Sequence, residues 1–269
     1  SKGQSARECR SAGVRFRNCY DDEGYAAAYA KLEFPGTYYL AFRDLPGILS
    51  YAAHGTRALD FGCGAGRSTR FLVRLGFNAV GVDVAAEMVQ RAHSIDPIGD
   101  YRLVADGDLS TFANGCFDVI LSAFTFDNVP GRQKKVALFS ELRRVLSADG
   151  RMVNLVSSPE IYRNEWASFS TKDFPENRRA KCGDEVRIIV TALEDRRPAI
   201  DILWPEEAYR DVYTRAGLAV QEVHRPLGQA HEPYEWVNET TIAPWVIYVL
   251  GRGATDDVCH LQEGWEALL

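Results

Sequence analysis

The stretch LDFGCGAGRST, Leu59 to Thr69, places an acid, three glycines at alternate positions and an arginine directly after a short apolar run. Glycine at every second position removes the Cβ atoms that would keep another molecule off the backbone, and it permits left-handed turn geometry. Arg57–Phe61 predicts a strand and Ser68–Leu75 a helix, so the glycines make a strand-to-helix turn. Such a turn aims backbone N–H groups and the positive end of a helix at a crevice beyond the strand's carboxyl end.

A ligand carrying a nucleoside suits that crevice. A dinucleotide asks for G-x-G-x-x-G, and Arg67 stands where its third glycine belongs. An acid two residues before G-x-G-x-G, here Asp60 ahead of Gly62, Gly64 and Gly66, suits S-adenosylmethionine instead. A carboxylate attracts that cofactor's ammonium group and would repel a pyrophosphate.

Outward from the glycines, the chain alternates. Short β-rich runs at Ala79–Val84, Tyr101–Val104, Phe117–Phe124 and Arg151–Val156 are interleaved with helical patterns at Ala86–Ser94 and Lys134–Leu146, which predicts a parallel α/β sheet. VGVDV puts Asp83 at the end of the second strand, where a carboxylate can accept from both ribose hydroxyls and Val84 can cover an adenine face. ADGDL offers Asp106, Gly107 and Asp108 for the adenine edge, an acid accepting from its amino group and a backbone N–H donating to the ring. Which acid does so stays open, because the other serves the turn. Ser122 to Thr125, ending the fourth strand, should form the crevice floor.

In this order and spacing, LDFGCGAG, VGVD, ADGDL, FDVILSAFTFDNVP and LRRVLSADGRMVNLV resemble the class I S-adenosylmethionine-dependent methyltransferases, over roughly Gly55 to Ser158. The resemblance implies a Rossmann-like, mostly parallel seven-stranded sheet with helices on both faces and an antiparallel last strand, a place that Trp245–Leu250 suits. It also implies that Gly62, Gly64 and Gly66 line the methionine part, that Asp83 holds the ribose and that Asp106 or Asp108 reads the adenine. The flanks look similar to small-molecule methyltransferases of bacterial secondary metabolism. They comprise an aromatic helical segment, Tyr20–Tyr51, broken by Pro35-Gly36 and Pro46-Gly47; an inserted hairpin, Val186–Leu193 and Ala199–Trp204; a helix, Pro205–Ala216; a strand, Ala219–His224; and the ending WVNETTIAPWVIYVL. The expected division is a helical lid over 1–54, a cofactor-binding core over 55–158, the rest of the sheet with its hairpin over 159–253, and a tail over 254–269.

Methyl transfer from a sulfonium needs placement first and a base when the acceptor is a hydroxyl or an ammonium. Asp127, just past the fourth strand, is the first candidate base and His231, in GQAHEPYEW, the second. Tyr25, Phe124 and Trp236 are candidate substrate contacts, and aromatic faces of this kind would also stabilise the cation left by attack from carbon. Carbon, oxygen and nitrogen acceptors all stay open. FDNVP stands where amino-group methyltransferases of DNA and of protein glutamine carry Asn/Asp-Pro-Pro-Tyr/Phe, which argues against exocyclic base amines. Only Asp127-Asn128 hints at a metal cluster, so no metal is assigned. The alternative to a methyltransferase is a cofactor-binding protein of the same fold acting as a cyclase or a non-methylating binding module.

Composition bounds the partners. With 46% hydrophobic and 25% charged residues the chain can bury a sizeable core. A formal net charge of −6 without a basic stripe argues against nucleic acid and leaves a small-molecule methyl acceptor as the expected partner. No window approaches the roughly 18 apolar residues of a membrane span, and SKGQSARECR carries no apolar signal region, so a cytoplasmic location is expected. The six cysteines show no close pairing, which predicts neither a zinc site nor a disulfide framework. Homo-oligomerisation is left open.

Overall fold

The computed structural model describes residues 34–52 and 55–254, with the side chains of 50–52 left aside. Helices α1 (Thr37–Phe42) and α2 (Leu45–Ala52) lead into β1 (Arg57–Phe61), α3 (Arg67–Arg74), β2 (Asn78–Asp83), α4 (Ala86–Ile95), β3 (Asp100–Leu103), β4 (Phe117–Ala123), α5 (Arg132–Val145) and β5 (Leu146–Ser157). A small sheet of β6 (Phe169–Ser170), β7 (Glu185–Val190) and β8 (Ala199–Ile202) follows, and then α6 (Glu206–Arg215), β9 (Leu218–His224) and β10 (Trp245–Arg252). The main sheet has seven strands in the order β3-β2-β1-β4-β5-β10-β9. Strands β1 to β5 pair in parallel, while β10 runs antiparallel to both β5 and β9, as expected of the last strand.

Successive side chains of a strand point to opposite faces, and here each face is buried in its own core. Ala58, Val119, Leu121, Val153, Leu155 and Ile247 face one core, with α1, Leu72 of α3 and the small sheet against them. Leu59, Phe61, Ile120, Met152, Val156 and Val246 face the other, under α5 and α6. Burial on both faces explains why β4 and β5 read as near-continuous apolar runs rather than alternating ones. Among the described residues, no helix is long and apolar enough to cross a membrane.

Of the segment expected as a lid, residues 34–52 pack against the sheet: Tyr38, Leu40, Ala41, Phe42, Leu45 and Leu49 are buried in the first core. Trp245 Nε1 donates to the Thr37 carbonyl at 2.8 Å, and the Thr37 hydroxyl donates to the fully buried Glu239 at 2.8 Å. Glu239 also accepts the amides of Ala167, Val237 and Asn238, so one carboxylate ties the first helix, the inserted segment and the loop before β10 together. Pro46-Gly47 does not interrupt the helix there but sits in the first turn of α2, where proline's missing N–H has no intrahelical partner to lose. The remainder of the lid expectation, with Tyr20, Tyr25 and Tyr29, lies outside the described residues, as do His54, His260 and nearly all of the expected tail. The inserted hairpin is present as β7 and β8, paired antiparallel, and gains β6 as a third strand.

Candidate active site

Strand order reverses direction between β1 and β4, and the crevice lies beyond the carboxyl ends of β1, β2 and β4. One wall is the glycine turn. The amides of Gly62 and Cys63 both donate to the Val82 carbonyl at 2.9 Å, which folds the turn back onto the end of β2. Gly62 has φ +77, and a Cβ there would lie 2.1 Å from Thr125 Oγ1, so only glycine fits between the turn and the segment after β4. Gly64, also left-handed, differs: its added Cβ would meet only the Met88 methyl at 3.8 Å, leaving open space on that side. The crevice spans about 720 Å³, counting space open to solvent.

Asp83 lines this crevice, and its carboxylate accepts the Gly64 amide at 2.8 Å and the Ala85 amide at 2.9 Å. It therefore locks the turn to the start of α4 at the edge of the crevice. Val84 beside it lines the crevice with 56% of its surface exposed, an apolar face without cover. Gly62, Gly64, Asp83 and Val84 are thus brought together.

Five other expected cofactor residues are not on the crevice wall. Asp106 is exposed and ion-pairs with Lys134 at 2.7 Å, while Asp108 accepts the Ser110 amide at 2.9 Å and serves the turn. Gly107 between them packs on Leu138. Ser122 is fully buried inside β4, so the floor is made by Ala123, Phe124 and Thr125 instead. Gly66 precedes α3 in a left-handed conformation and faces Tyr101 rather than the crevice.

Asp60 also departs from expectation. Its carboxylate points under the turn and is fully buried, accepting Ser68 Oγ at 2.5 Å and Thr69 Oγ1 at 2.7 Å; it ties β1 to α3 and does not line the crevice. Burial pushes its carboxyl up to about 6, against the two hydroxyls that favour the charged form. A folded-state value above the unfolded 3.8 means that the folded chain holds this proton more tightly. Stability from this group is therefore complete below pH 4 and is lost as pH rises through 6. Relative to the uncharged Asp60→Asn variant, the wild type should lose about 2 kcal/mol between pH 4 and pH 7. Urea unfolding of both proteins across that range checks it, and a constant difference would count against it.

A second, smaller cavity, about 400 Å³ counting space open to solvent, adjoins the crevice, and Phe124 and Asn128 line both. Phe124 takes φ +63, a left-handed conformation uncommon for a residue with a side chain, at the point where β4 gives way to the 3₁₀ turn Thr125–Asn128. That turn delivers Asp127 to the second cavity. Its carboxyl accepts the Ser157 amide at 3.1 Å and the Ser157 hydroxyl at 2.7 Å. Asp201 of β8 lines the same cavity, accepting Asn128 Nδ2 at 2.7 Å and the Tyr162 hydroxyl at 2.8 Å. Burial and then the charge of Asp201 push the Asp127 carboxyl well above the usual carboxylate range. Asp201 itself is pushed up to about 6 by burial, against its two hydrogen bonds. Fully buried Lys135 donates to the Val129 carbonyl and lies 4.0 Å over the Trp204 ring; burial lowers its ammonium to about 8.

The structure thus brings Asp127 and Phe124 together with residues the sequence reading missed: Asp201, Tyr162, Ser157, Phe169 and Trp245. An acid between two isoleucines in AIDIL was the available signal for Asp201; Tyr162 had none. His231 is exposed and lines neither cavity, so it is not placed to act as a base. Trp236 lines neither cavity either; its indole donates to the Gln229 carbonyl. Arg67, which denied the dinucleotide motif, lies over the rings of Phe34, Tyr38 and Phe42 and couples α1 to the start of α3.

Residues 59–154 match the family profile described as a methyltransferase domain. Over 102 residues the chain is 34% identical to a 2-methyl-6-phytyl-1,4-hydroquinone methyltransferase of Synechocystis, an alignment covering 37% of this chain and 31% of that protein. It is 30% identical, also over 102 residues, to a ubiquinone biosynthesis O-methyltransferase of Xanthomonas oryzae, covering 36% and 41% of the two chains. The matched stretch is therefore less than half of either relative. Among solved structures, the fold is similar to the CcbJ methyltransferase of Streptomyces caelestis, with a TM-score of 0.60 at 16% identity over 87% of this chain and 98% of that one. It is also similar to the PH0226 protein of Pyrococcus horikoshii, with a TM-score of 0.59 at 16% identity over 86% and 99%.

Proposed function

We propose that this chain, whose residues 59–154 match a methyltransferase domain, is a class I S-adenosylmethionine-dependent methyltransferase that methylates a small, partly apolar metabolite in a natural-product tailoring step. The observation that carries the reading is the junction of the two cavities at Phe124 and Asn128, which sets a pocket with buried carboxylates beside the glycine-turn crevice. The tailoring assignment rests only on the resemblance of the aromatic N-terminal segment, inserted sheet and C-terminal stretch to enzymes of that kind.

The crevice residues fit the cofactor. Gly64 leaves open space for its methionine part, the Asp83 carboxylate on the crevice wall is placed for the ribose hydroxyls to donate to, and exposed Val84 offers a face for adenine. S-adenosylmethionine, when bound, supplies an electrophilic methyl carbon on a positively charged sulfur. The chain's own contribution is placement, which for a well-held pair of reactants is worth about 7–11 kcal/mol. Asp127, whose carboxyl burial and then the charge of Asp201 push well above the usual carboxylate range, lines the second cavity and in its ionised form can take a proton from the acceptor there. Of the residues lining that cavity, only Phe124, Asp127 and Asn128 fall within 59–154, so the relatives' own substrates do not carry over to this acceptor.

Titration calorimetry tests the cofactor half of this reading. S-adenosylmethionine and S-adenosylhomocysteine should bind and nicotinamide dinucleotides should not; tight NAD binding would overturn it. Accumulation of S-adenosylhomocysteine on incubation with metabolite extracts then separates methyl transfer from a cyclase or a non-methylating module.

A further inference from the structure

Reading the second cavity as the acceptor site leads to the chemistry of the acceptor, and the step rests on that reading. The wall is aromatic. Tyr38 lies 5.8 Å from Phe124, 5.1 Å from Phe169 and 5.9 Å from Trp245 between ring centroids, and Phe124 and Phe169 lie 4.8 and 5.7 Å from Trp245. All four rings line the cavity, so they surround one space rather than scattering through the core.

The polar end of the same space is acidic. The hydrogen bonds described above to Asp127 and Asp201 all come from neutral donors: the Ser157 amide and hydroxyl, the Asn128 carboxamide and the Tyr162 hydroxyl. Two cations lie near without lining the cavity. Lys135 is turned to the Val129 carbonyl and the Trp204 ring, and Arg67 lies over Tyr38. The Lys135 charge reaches Asp127 and favours its ionised form, but burial and the charge of Asp201 outweigh it, so in the free protein the Asp127 carboxyl holds its proton well above the usual carboxylate range.

These two properties rank the ligands. An anion, such as a phenolate or a carboxylate, meets two acids and no cation among the described lining residues. A neutral alcohol gains hydrogen bonds alone. An organic cation gains attraction to the carboxylates at low dielectric together with attraction to the ring faces. We propose that the acceptor is an amine that binds in its protonated form, its charged nitrogen toward Asp127 and Asp201 and its apolar body among Tyr38, Phe124, Phe169 and Trp245.

Calorimetry on the full chain with S-adenosylhomocysteine present tests this, using phenethylamine and its uncharged counterpart 2-phenylethanol as ligands. The S-adenosylhomocysteine titration comes first, so a failure of the cofactor reading is seen before either ligand is added. The amine should bind at least about tenfold more tightly than the alcohol, and Asp201→Asn should cut that preference to about threefold or less. Equal affinities, a preference for the alcohol or no detectable binding of the amine would overturn the proposal. The comparison of the two ligands on the wild-type chain is decisive even if the variant folds poorly.

Discussion

Asp127→Asn should lower kcat by about 10²–10⁴-fold, the usual contribution of a positioned general base, while S-adenosylhomocysteine affinity stays within about twofold. The separation follows from geometry, because Asp127 lines the second cavity and not the glycine-turn crevice. Asparagine keeps an oxygen that can accept the Ser157 amide and hydroxyl, so the 3₁₀ turn at Thr125–Asn128 should hold its shape. What disappears is the ability to take a proton. In the wild type, burial and Asp201 raise the Asp127 carboxyl, so the fraction ready to act as base increases with pH through a range above that of ordinary carboxylates. The groups that bear on that titration are Asp201, Lys135 and the hydroxyls of Tyr162 and Tyr209. The wild-type kcat/KM should therefore climb with pH along an acidic limb, and the limb should be absent from Asp127→Asn. A variant with full activity, or one that keeps the limb, would remove Asp127 from the chemistry.

The cofactor side of this site was legible because its demands are local. A strand, a glycine turn and a helix follow one another within LDFGCGAGRST, and Asp83 falls at a strand end fixed by the apolar pattern of VGVDV. Where one-dimensional position had to stand in for direction, the reading failed. Asp60 sits at the right place in the chain, but its side chain turns under the loop to Ser68 and Thr69. Asp106 and Asp108 lie in a turn tight enough that one pairs with Lys134 and the other with the Ser110 amide.

The acceptor side was largely illegible because it is assembled from separate stretches of chain. Tyr38 comes from α1, Asp127 from the turn after β4, Tyr162 from the turn after β5, Asp201 from β8 and Trp245 from β10. No spacing rule joins them; the topology does. His231 and Trp236 were chosen for residue type alone, and residue type without a position in the fold did not place them at the site.

Asp83→Ala should weaken S-adenosylhomocysteine binding by about 10²–10⁴-fold and cost the fold much less. In the free protein the carboxylate accepts the amides of Gly64 and Ala85, and both residues are only partly buried, so water can replace it on those donors. The loss in folding stability should therefore stay near the net value of ordinary hydrogen bonds, about 0.5–1.5 kcal/mol each. Ligand binding is a different case. Ribose hydroxyls donating to a carboxylate make charge-assisted bonds, each worth about 1.5–3 kcal/mol, and alanine offers neither acceptor nor charge. The turn would also lose the bond from Gly64, so the crevice would be less well ordered before the ligand arrives. Asp83→Asn, which keeps one acceptor oxygen without the charge, should fall between wild type and alanine. Melting temperature and calorimetric affinity measured on all three proteins separate the two effects: a folded Asp83→Ala variant with unchanged affinity would remove Asp83 from the ribose site, whereas a variant that fails to fold would show that the Gly64 and Ala85 bonds dominate its role.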